Sequence, residues 1–167
     1  MNTEQRIQVF VELGKELADN TEEFKDRLQT AKHKNGWFSA DHSQLAFTNW
    51  SKALTEDSLK HWTAMYPKLS NATAPKKVGL IMAGNIPLVG LHDLVSVLIS
   101  GHIALVKLSS EDTVLMTFVI DKIKSISPEM GSRVIIVERL NNVEAVIATG
   151  SNNSSRYFEA YFGKYPN

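Results

Sequence analysis

The chain has 167 residues and carries 18 acidic and 18 basic side chains, so its formal net charge is zero. A neutral chain gives no reason to expect binding to nucleic acid or to an anionic membrane. Its apolar fraction of 43% is ordinary for a globular protein with a hydrophobic core. No apolar run reaches the roughly 18 residues of a membrane span, and the charged N-terminus lacks the apolar centre of a secretory signal. We therefore expect a cytoplasmic protein without a membrane span.

The sequence contains no cysteine. This excludes disulfides, thiolate metal ligands and a cysteine nucleophile supplied by this chain. The sequence has five histidines, and no two of them stand four residues apart, so it lacks the histidine pair of a helical metal site. We predict no metal site.

The first part of the chain, residues 1–70, has the apolar spacing of four amphipathic helices. Asn20 or Thr21 is a suitable N-cap for the second helix, because both side chains can accept a hydrogen bond from the first turn. The predicted inward-facing residues include Ile7, Phe10, Phe24, Phe47 and Tyr66. Trp37 and Phe38, between the second and third helices, are predicted to form a local apolar anchor. A small, polar stretch that ends in proline, residues 70–75, is the predicted boundary of this helical segment.

From residue 76 onward the periodicity changes to short apolar runs that alternate with helical patterns. The predicted elements are a strand at 78–82, a helix at 88–100, a strand at 103–108, a helix at 113–126, strands at 133–138 and 145–148, and a helix at 154–162. This alternation predicts an α/β fold with a Rossmann-like, mostly parallel sheet and helices on both faces. We predict that residues 76–167 form part of a dinucleotide-binding domain.

Three polar turns follow predicted strands, and open α/β sheets bind ligands at the carboxyl ends of their strands. The first turn is Ala83-Gly84-Asn85-Ile86-Pro87. The amide of Asn85 can donate a hydrogen bond to a developing oxyanion in a site closed to water. The alternative is that Asn85 bonds its own backbone and only builds the turn.

The second turn follows Lys107 and contains Ser109 and Ser110. A lysine at a strand's carboxyl end can reach the ribose or phosphate of a bound nucleotide. The alternative is a lysine that extends from the sheet edge into solvent.

The third turn contains Gly150, Ser151 and Asn152 and opens the last predicted helix. Free backbone N–H groups and the helix dipole make such a start a suitable anion site. The alternative is a plain N-cap by Ser151 or Asn152. The run contains no G-x-G-x-x-G fingerprint, so its spacing alone does not identify a dinucleotide site.

Together, the motifs Ala-Gly-Asn-Ile-Pro, Val-Lys-Leu-Ser and Ala-Thr-Gly-Ser-Asn-Asn-Ser-Ser-Arg resemble the nucleotide-binding half of the aldehyde dehydrogenase superfamily. The closest resemblance is to the acyl-CoA reductases of the bioluminescence fatty-acid reductase type, and it is strongest over residues 78–162. It implies reduction of a fatty acyl-CoA to a fatty aldehyde, with a nicotinamide cofactor and a thioester on a cysteine.

The resemblance also implies roles for single residues. Asn85 matches the asparagine that donates to the thiohemiacetal oxyanion, and Lys107 matches the lysine that contacts the adenosine ribose. We also expect Ser109, in the same motif, to bind the cofactor. Ser110 stands where many aldehyde dehydrogenases have a ribose-binding glutamate. Because a neutral serine does not repel a 2′-phosphate, we expect NADP(H), with NAD(H) as the alternative.

The third motif is implied to hold the cofactor's pyrophosphate. Gly150 and Ser151 match the start of the family's Gly-Ser-Thr-x-x-Gly run, which places the pyrophosphate over a helix N-terminus, and Asn152 stands for its threonine. Ser155 replaces the final glycine of that run, so the expected pose of the cofactor departs from the family pattern at this point.

In this family the nucleophilic cysteine comes later in the chain, from the catalytic domain. We therefore expect an N-terminal portion that lacks the catalytic domain and does not turn over by itself. A partial sheet leaves an exposed edge, so we expect self-association or a homo-oligomer. Two alternatives stay open: a non-catalytic nucleotide- or metabolite-binding α/β module, and an interaction domain whose N-terminal helices bind a partner.

Overall fold

The computed structural model describes residues 1–19, 21–70, 74–150 and 152–165. The part before the sheet consists of α1 (Thr3–Ala18), α2 (Glu22–Lys34), α3 (Ala40–Ala53), α4 (Glu56–Ala64) and a 3-10 turn (Pro67–Ser70). The sheet region consists of β1 (Lys77–Ile81), α5 (Leu91–Ile99), β2 (Ile103–Lys107), a 3-10 turn (Ser110–Asp112), α6 (Thr113–Ile126), α7 (Pro128–Gly131), β3 (Val134–Ile136), β4 (Ala145–Ala148) and α8 (Asn152–Phe162). None of the helices in these ranges combines the length and the apolar character needed to cross a bilayer.

Polar N-cap residues decide where the first four helices begin. Asn2 forms a capping box with Gln5 at the start of α1. Thr21, Ser39 and Thr55 each accept a hydrogen bond from the backbone N–H three residues further on, at the starts of α2, α3 and α4. These bonds satisfy N–H groups that have no partner inside the helix. Thr21 is therefore the cap of α2.

The four strands form one parallel sheet in the order β3-β2-β1-β4. The chain moves outward from β1 to β3 and then returns to the other side of β1 for β4. At the carboxyl end of β1, Ile81 lies opposite Lys107 of β2 on one side and Ala148 of β4 on the other. This reversal of strand order is the topological switch point, where open α/β sheets bind ligands. The predicted α/β fold is confirmed.

One face of the sheet and the N-terminal helices share a continuous core. It contains Leu80 of β1, Phe10 of α1 and Phe118 of α6, which are all buried. Phe24 and Phe47 join α2 and α3 to α6, with ring centroids 4.6 Å from each other and 6.4 Å and 6.0 Å from that of Phe118. The helical segment thus packs directly on the sheet region. The predicted boundary at residues 70–75 stays a prediction.

The opposite face of the sheet has a smaller core. Leu105, Val143 and Val146 are buried there, and Phe162 and Tyr165 from α8 and the residues after it pack against them. Helices therefore lie on both faces, as predicted. At the outer edge strand β3, Ile135 and Ile136 are 43% and 44% exposed.

Some local predictions differ from the structure. The helix predicted from residue 88 begins at Leu91, because residues 87–90 form a turn in which Leu88 has a φ of +59°. The prediction that Tyr66 faces inward is wrong, since it is 55% exposed, and Trp37, predicted to form an apolar anchor with Phe38, is 87% exposed. Phe38, beside Trp37, is buried instead.

Candidate functional site

The three predicted turns meet at one edge of the sheet. Backbone hydrogen bonds continue past the strand ends: Met82 N–H donates to the Lys107 carbonyl at 3.2 Å, and Thr149 N–H donates to the Ile81 carbonyl at 3.0 Å. Neighbouring strands lie about 4.8 Å apart, so the first residues of the three turns stand side by side. The sheet therefore assembles the three motifs, which are far apart in sequence, into one candidate site.

The turn that carries Asn85 packs tightly on the turn that carries Ser109. A Cβ atom on Gly84 would lie only 2.6 Å from Ser109 Cβ and 3.1 Å from Glu111 Cβ, so a glycine is needed at this contact. Ser109 Oγ accepts a hydrogen bond from the Glu111 N–H at 3.3 Å, and Ser110 begins the 3-10 turn. Ser109 thus shapes its own turn and also supports the first one.

Asn85 itself is exposed at the edge of the sheet. Its side chain forms no hydrogen bond with any of the described residues. Within that part of the chain, the bond from Asn85 to its own backbone that the turn-building alternative requires is not formed. The amide is therefore available to donate to a ligand.

Asp112 forms a buried hydrogen bond with the turn that carries Asn85. Its Oδ2 atom accepts a hydrogen bond from the Leu88 N–H at 2.7 Å, and both residues are buried. Burial disfavours the charged form and raises the pKa of Asp112 to about 7, although the Leu88 N–H acts in the opposite direction. Its second oxygen, Oδ1, has no hydrogen-bond partner among the described residues.

A cavity of about 560 Å³ opens at the carboxyl ends of β1 and β2, on the face covered by α8. It is lined by Ile81, Lys107, Glu138, Arg139, Leu140, Asn141, Phe158, Tyr161, Phe162, Lys164 and Tyr165. Three of these side chains are cations, and four are aromatic. Aromatic faces stack on planar bases, and lysine and arginine bind phosphate. The lining therefore suits an adenine nucleotide.

Lys107 is the predicted cofactor-binding residue that lines this cavity. Ser109, Ser110 and Gly150 lie on the same edge of the sheet, in the turns after β2 and β4, but not in the cavity wall. Asn152 is the first residue of α8, while Ser151 lies outside the described residues. The structure brings these turns together, and the roles of the individual residues stay predictions.

Sequence reasoning missed Asp112 and Arg139. Asp112 directly precedes α6, where an aspartate normally indicates an N-cap, so its contact with a distant turn is not visible in the sequence. Arg139 follows β3, and the rule that ligands bind at the carboxyl ends of strands could have identified it.

Two other cavities, of about 570 Å³ and 430 Å³, lie along α4 and α5 and share Trp62 and His92 in their walls. None of the predicted site residues that the structure describes lines either of them. His92 is exposed, with Nδ1 3.8 Å from Asp93 Oδ1. The candidate site is thus the cavity beside β1 and β2 together with the three turns.

The sheet order and the turns at the switch point define an α/β protein of the doubly wound type. The sequence model of the acyl-CoA reductase (LuxC) family matches residues 49–162, which is more than half of the chain and includes all three turns. This chain belongs to that family, as its resemblance predicted. Comparisons with curated proteins and with solved structures found no match.

Proposed function

We propose that this chain is the cofactor-binding portion of a NADP(H)-dependent reductase that converts a fatty acyl-CoA into a fatty aldehyde. The observation that carries the proposal is the family match over residues 49–162, since this range contains the three turns that β1, β2 and β4 bring to one edge. Acyl-CoA reduction is the activity that the family supports. The cofactor and the role of this chain in the reaction are the proposed steps.

Asn85 is proposed to stabilise the charge that develops on the substrate's carbonyl oxygen. Its amide is exposed and unbonded among the described residues, so it can donate without first breaking another bond. When bound, NADPH supplies the hydride for the carbonyl carbon. This chain contains no cysteine, so it does not itself supply the thiol for the acyl thioester. We therefore expect no turnover from this chain alone.

The cavity beside β2 supports the choice of NADP(H). Lys107, Arg139 and Lys164 place three cationic side chains in its wall, and Lys164 Nζ lies 5.1 Å from the centroid of the Tyr165 ring. Glu138 is a carboxylate in the same wall, so the described lining carries three cations and one anion, and Ser110, in the turn after β2, adds no negative charge. Such cations favour the 2′-phosphate of NADP(H), which is the anionic group that NAD(H), the alternative, lacks.

Titration of the chain with NADPH tests this function. We expect weak binding by the wild-type protein and at least about tenfold weaker binding by Gly150→Val, because the side chain blocks close approach of the cofactor to the backbone. Gly36→Val is the control, since no atom lies within 4 Å of a Cβ at Gly36. A folded wild-type chain that does not bind NADPH would contradict the proposal.

We also propose that the protein self-associates through the edge strand β3. Ile135 and Ile136 are half exposed there, and an apolar edge can pair with a second chain. Ile136→Lys should reduce association in sedimentation velocity, while Leu45→Lys, at a 56% exposed position on α3, should not. A wild-type monomer at all concentrations would exclude this interface.

We further propose that the protein is cytoplasmic and that it belongs to the aldehyde dehydrogenase superfamily.

A further inference from the structure

A buried carboxyl joins the two turns that carry the predicted oxyanion donor and part of the predicted cofactor site. Asp112 closes the 3-10 turn that begins at Ser110, and its Oδ2 accepts a hydrogen bond from the Leu88 N–H at 2.7 Å. Leu88 is three residues after Asn85. The same two turns also meet where Gly84 packs on Ser109. Asn85 thus lies between two fixed points of contact with the second turn.

The backbone at Leu88 needs this support. Leu88 has a φ of +59°, in the left-handed region that is sterically unfavourable for residues with a branched or bulky side chain. Its side chain is fully buried in the core, so the residue cannot relax toward solvent. Asp112 Oδ2 accepts the hydrogen bond of the Leu88 N–H, a buried backbone donor that would otherwise lose its partner at a cost in free energy.

Asp112 does not act as the helix cap that its position before α6 predicts. It occupies the N-cap position of α6, yet its side chain accepts no hydrogen bond from the first turn of that helix. The carboxyl is turned toward the Asn85 turn instead, and it is only 2% exposed. A surface aspartate could cap α6 without burial, so α6 does not account for this arrangement.

We propose that Asp112 is a positioning residue, which holds the turn of Asn85 in place against the turn of Ser109 and Ser110 before any ligand binds. This role rests on the proposed function, because the position of Asn85 relative to the cofactor turns is then what Asp112 sets. In this role Asp112 acts through the Leu88 N–H and needs no contact with the substrate or the cofactor.

The test compares Asp112→Asn, which keeps an acceptor oxygen, with Asp112→Leu, which keeps the size and removes the acceptor. Asp121→Asn, an exposed position on α6, is the control. We expect amide exchange at Leu88 and its neighbours to rise about tenfold or more in D112L, and NADPH binding to weaken by about tenfold. D112N should stay within about threefold of the wild type in both measurements.

Three results would overturn the proposal: unchanged Leu88 exchange in a folded D112L, exchange that rises evenly over the whole chain, or equal impairment of D112N and D112L. If D112L does not fold, amide exchange of the wild-type chain still decides, because a buried N–H that donates to Asp112 is protected, and a Leu88 amide that exchanges as fast as exposed backbone rejects the contact. If the wild type does not bind NADPH but amide exchange at Leu88 is faster in D112L, the proposed function fails and the anchoring of the turn by Asp112 stands.

Discussion

The hydroxyl of Thr149 donates a 2.6 Å hydrogen bond to Oδ2 of Asp93. Thr149 is the first residue after β4, and Asp93 lies in the first turn of α5. The bond therefore spans the switch point and joins the helix that follows the Asn85 turn to the turn that precedes α8. It fixes the spacing between two of the three turns of the candidate site.

Removal of this bond should destabilise the protein. Thr149→Val keeps the shape of the side chain but leaves the Asp93 carboxylate, whose side chain is only 16% exposed, without its donor. Hydrogen bonds to charged groups contribute about 1.5–3 kcal/mol, so we expect a loss of that order in the free energy of unfolding. Urea denaturation measures it. Thr30→Val, which removes an exposed hydroxyl on α2, should change stability by no more than about 0.5 kcal/mol. Equal losses in the two variants would contradict the prediction.

A second prediction concerns the contact between Gly84 and Ser109. Gly84→Ala places a methyl group 2.6 Å from Ser109 Cβ. This overpacking should lower the free energy of unfolding by about 1–3 kcal/mol. Adding Ser109→Gly removes the obstructing atoms of Ser109 and leaves Glu111 Cβ at 3.1 Å, so the double variant should recover part of that loss. Gly36→Ala, with open space around its Cβ, should be close to neutral. Thermal unfolding of five proteins, namely the wild type, Gly84→Ala, Ser109→Gly, the double variant and Gly36→Ala, decides whether the two turns are in contact. Losses that simply add in the double variant would show that they are not.

Local sequence patterns predicted most of the secondary structure. The bounds of α6 and β4 agree with the prediction, because α6 has a regular apolar stripe and β4 is a short apolar run between polar turns. The three turns were found for a similar reason: each follows a buried strand, and parallel strands bring their carboxyl ends to one edge. Ranges that local periodicity controls are therefore predictable.

What the sequence did not reveal depends on distant residues. The start of α5 at Leu91 follows from the Leu88 turn, which is held by Asp112, 24 residues away. Trp37 and Phe38 are adjacent and both apolar, and only the tertiary packing decides that Phe38 is buried while Trp37 is exposed. The cavity needs Arg139 and α8 to approach Lys107 from separate parts of the chain. None of these contacts leaves a short-range pattern.

The stability of the protein should depend on pH through Asp112. Burial raises the pKa of this carboxyl in the folded protein to about 7, above the value of about 3.9 expected in the unfolded chain. The folded state then binds the proton more tightly. The contribution of Asp112 to stability is fully present below about pH 4 and is lost as the pH rises through about 7.

Urea denaturation of the wild type and of Asp112→Asn between pH 4 and pH 8 isolates this effect, because the other titrating groups are common to both proteins. The wild-type protein should lose up to about 4 kcal/mol relative to D112N over this range. A difference between the two proteins that stays constant with pH would show that Asp112 titrates at its ordinary value.

The last prediction concerns the choice between the two nicotinamide cofactors. Arg139 lines the cavity with Lys107, and a guanidinium can bind a phosphate through two parallel hydrogen bonds. Arg139→Gln should weaken NADPH binding by about tenfold or more and change NADH binding by less than about twofold. Lys107→Gln should weaken both cofactors alike, because the ribose that it is predicted to contact is common to them. Arg27→Gln, at an exposed position on α2, is the control for loss of one positive charge. Isothermal titration with both cofactors measures the difference. If R139Q weakens NADPH and NADH equally, Arg139 binds a part that the two cofactors share, and the preference for NADP(H) has another origin.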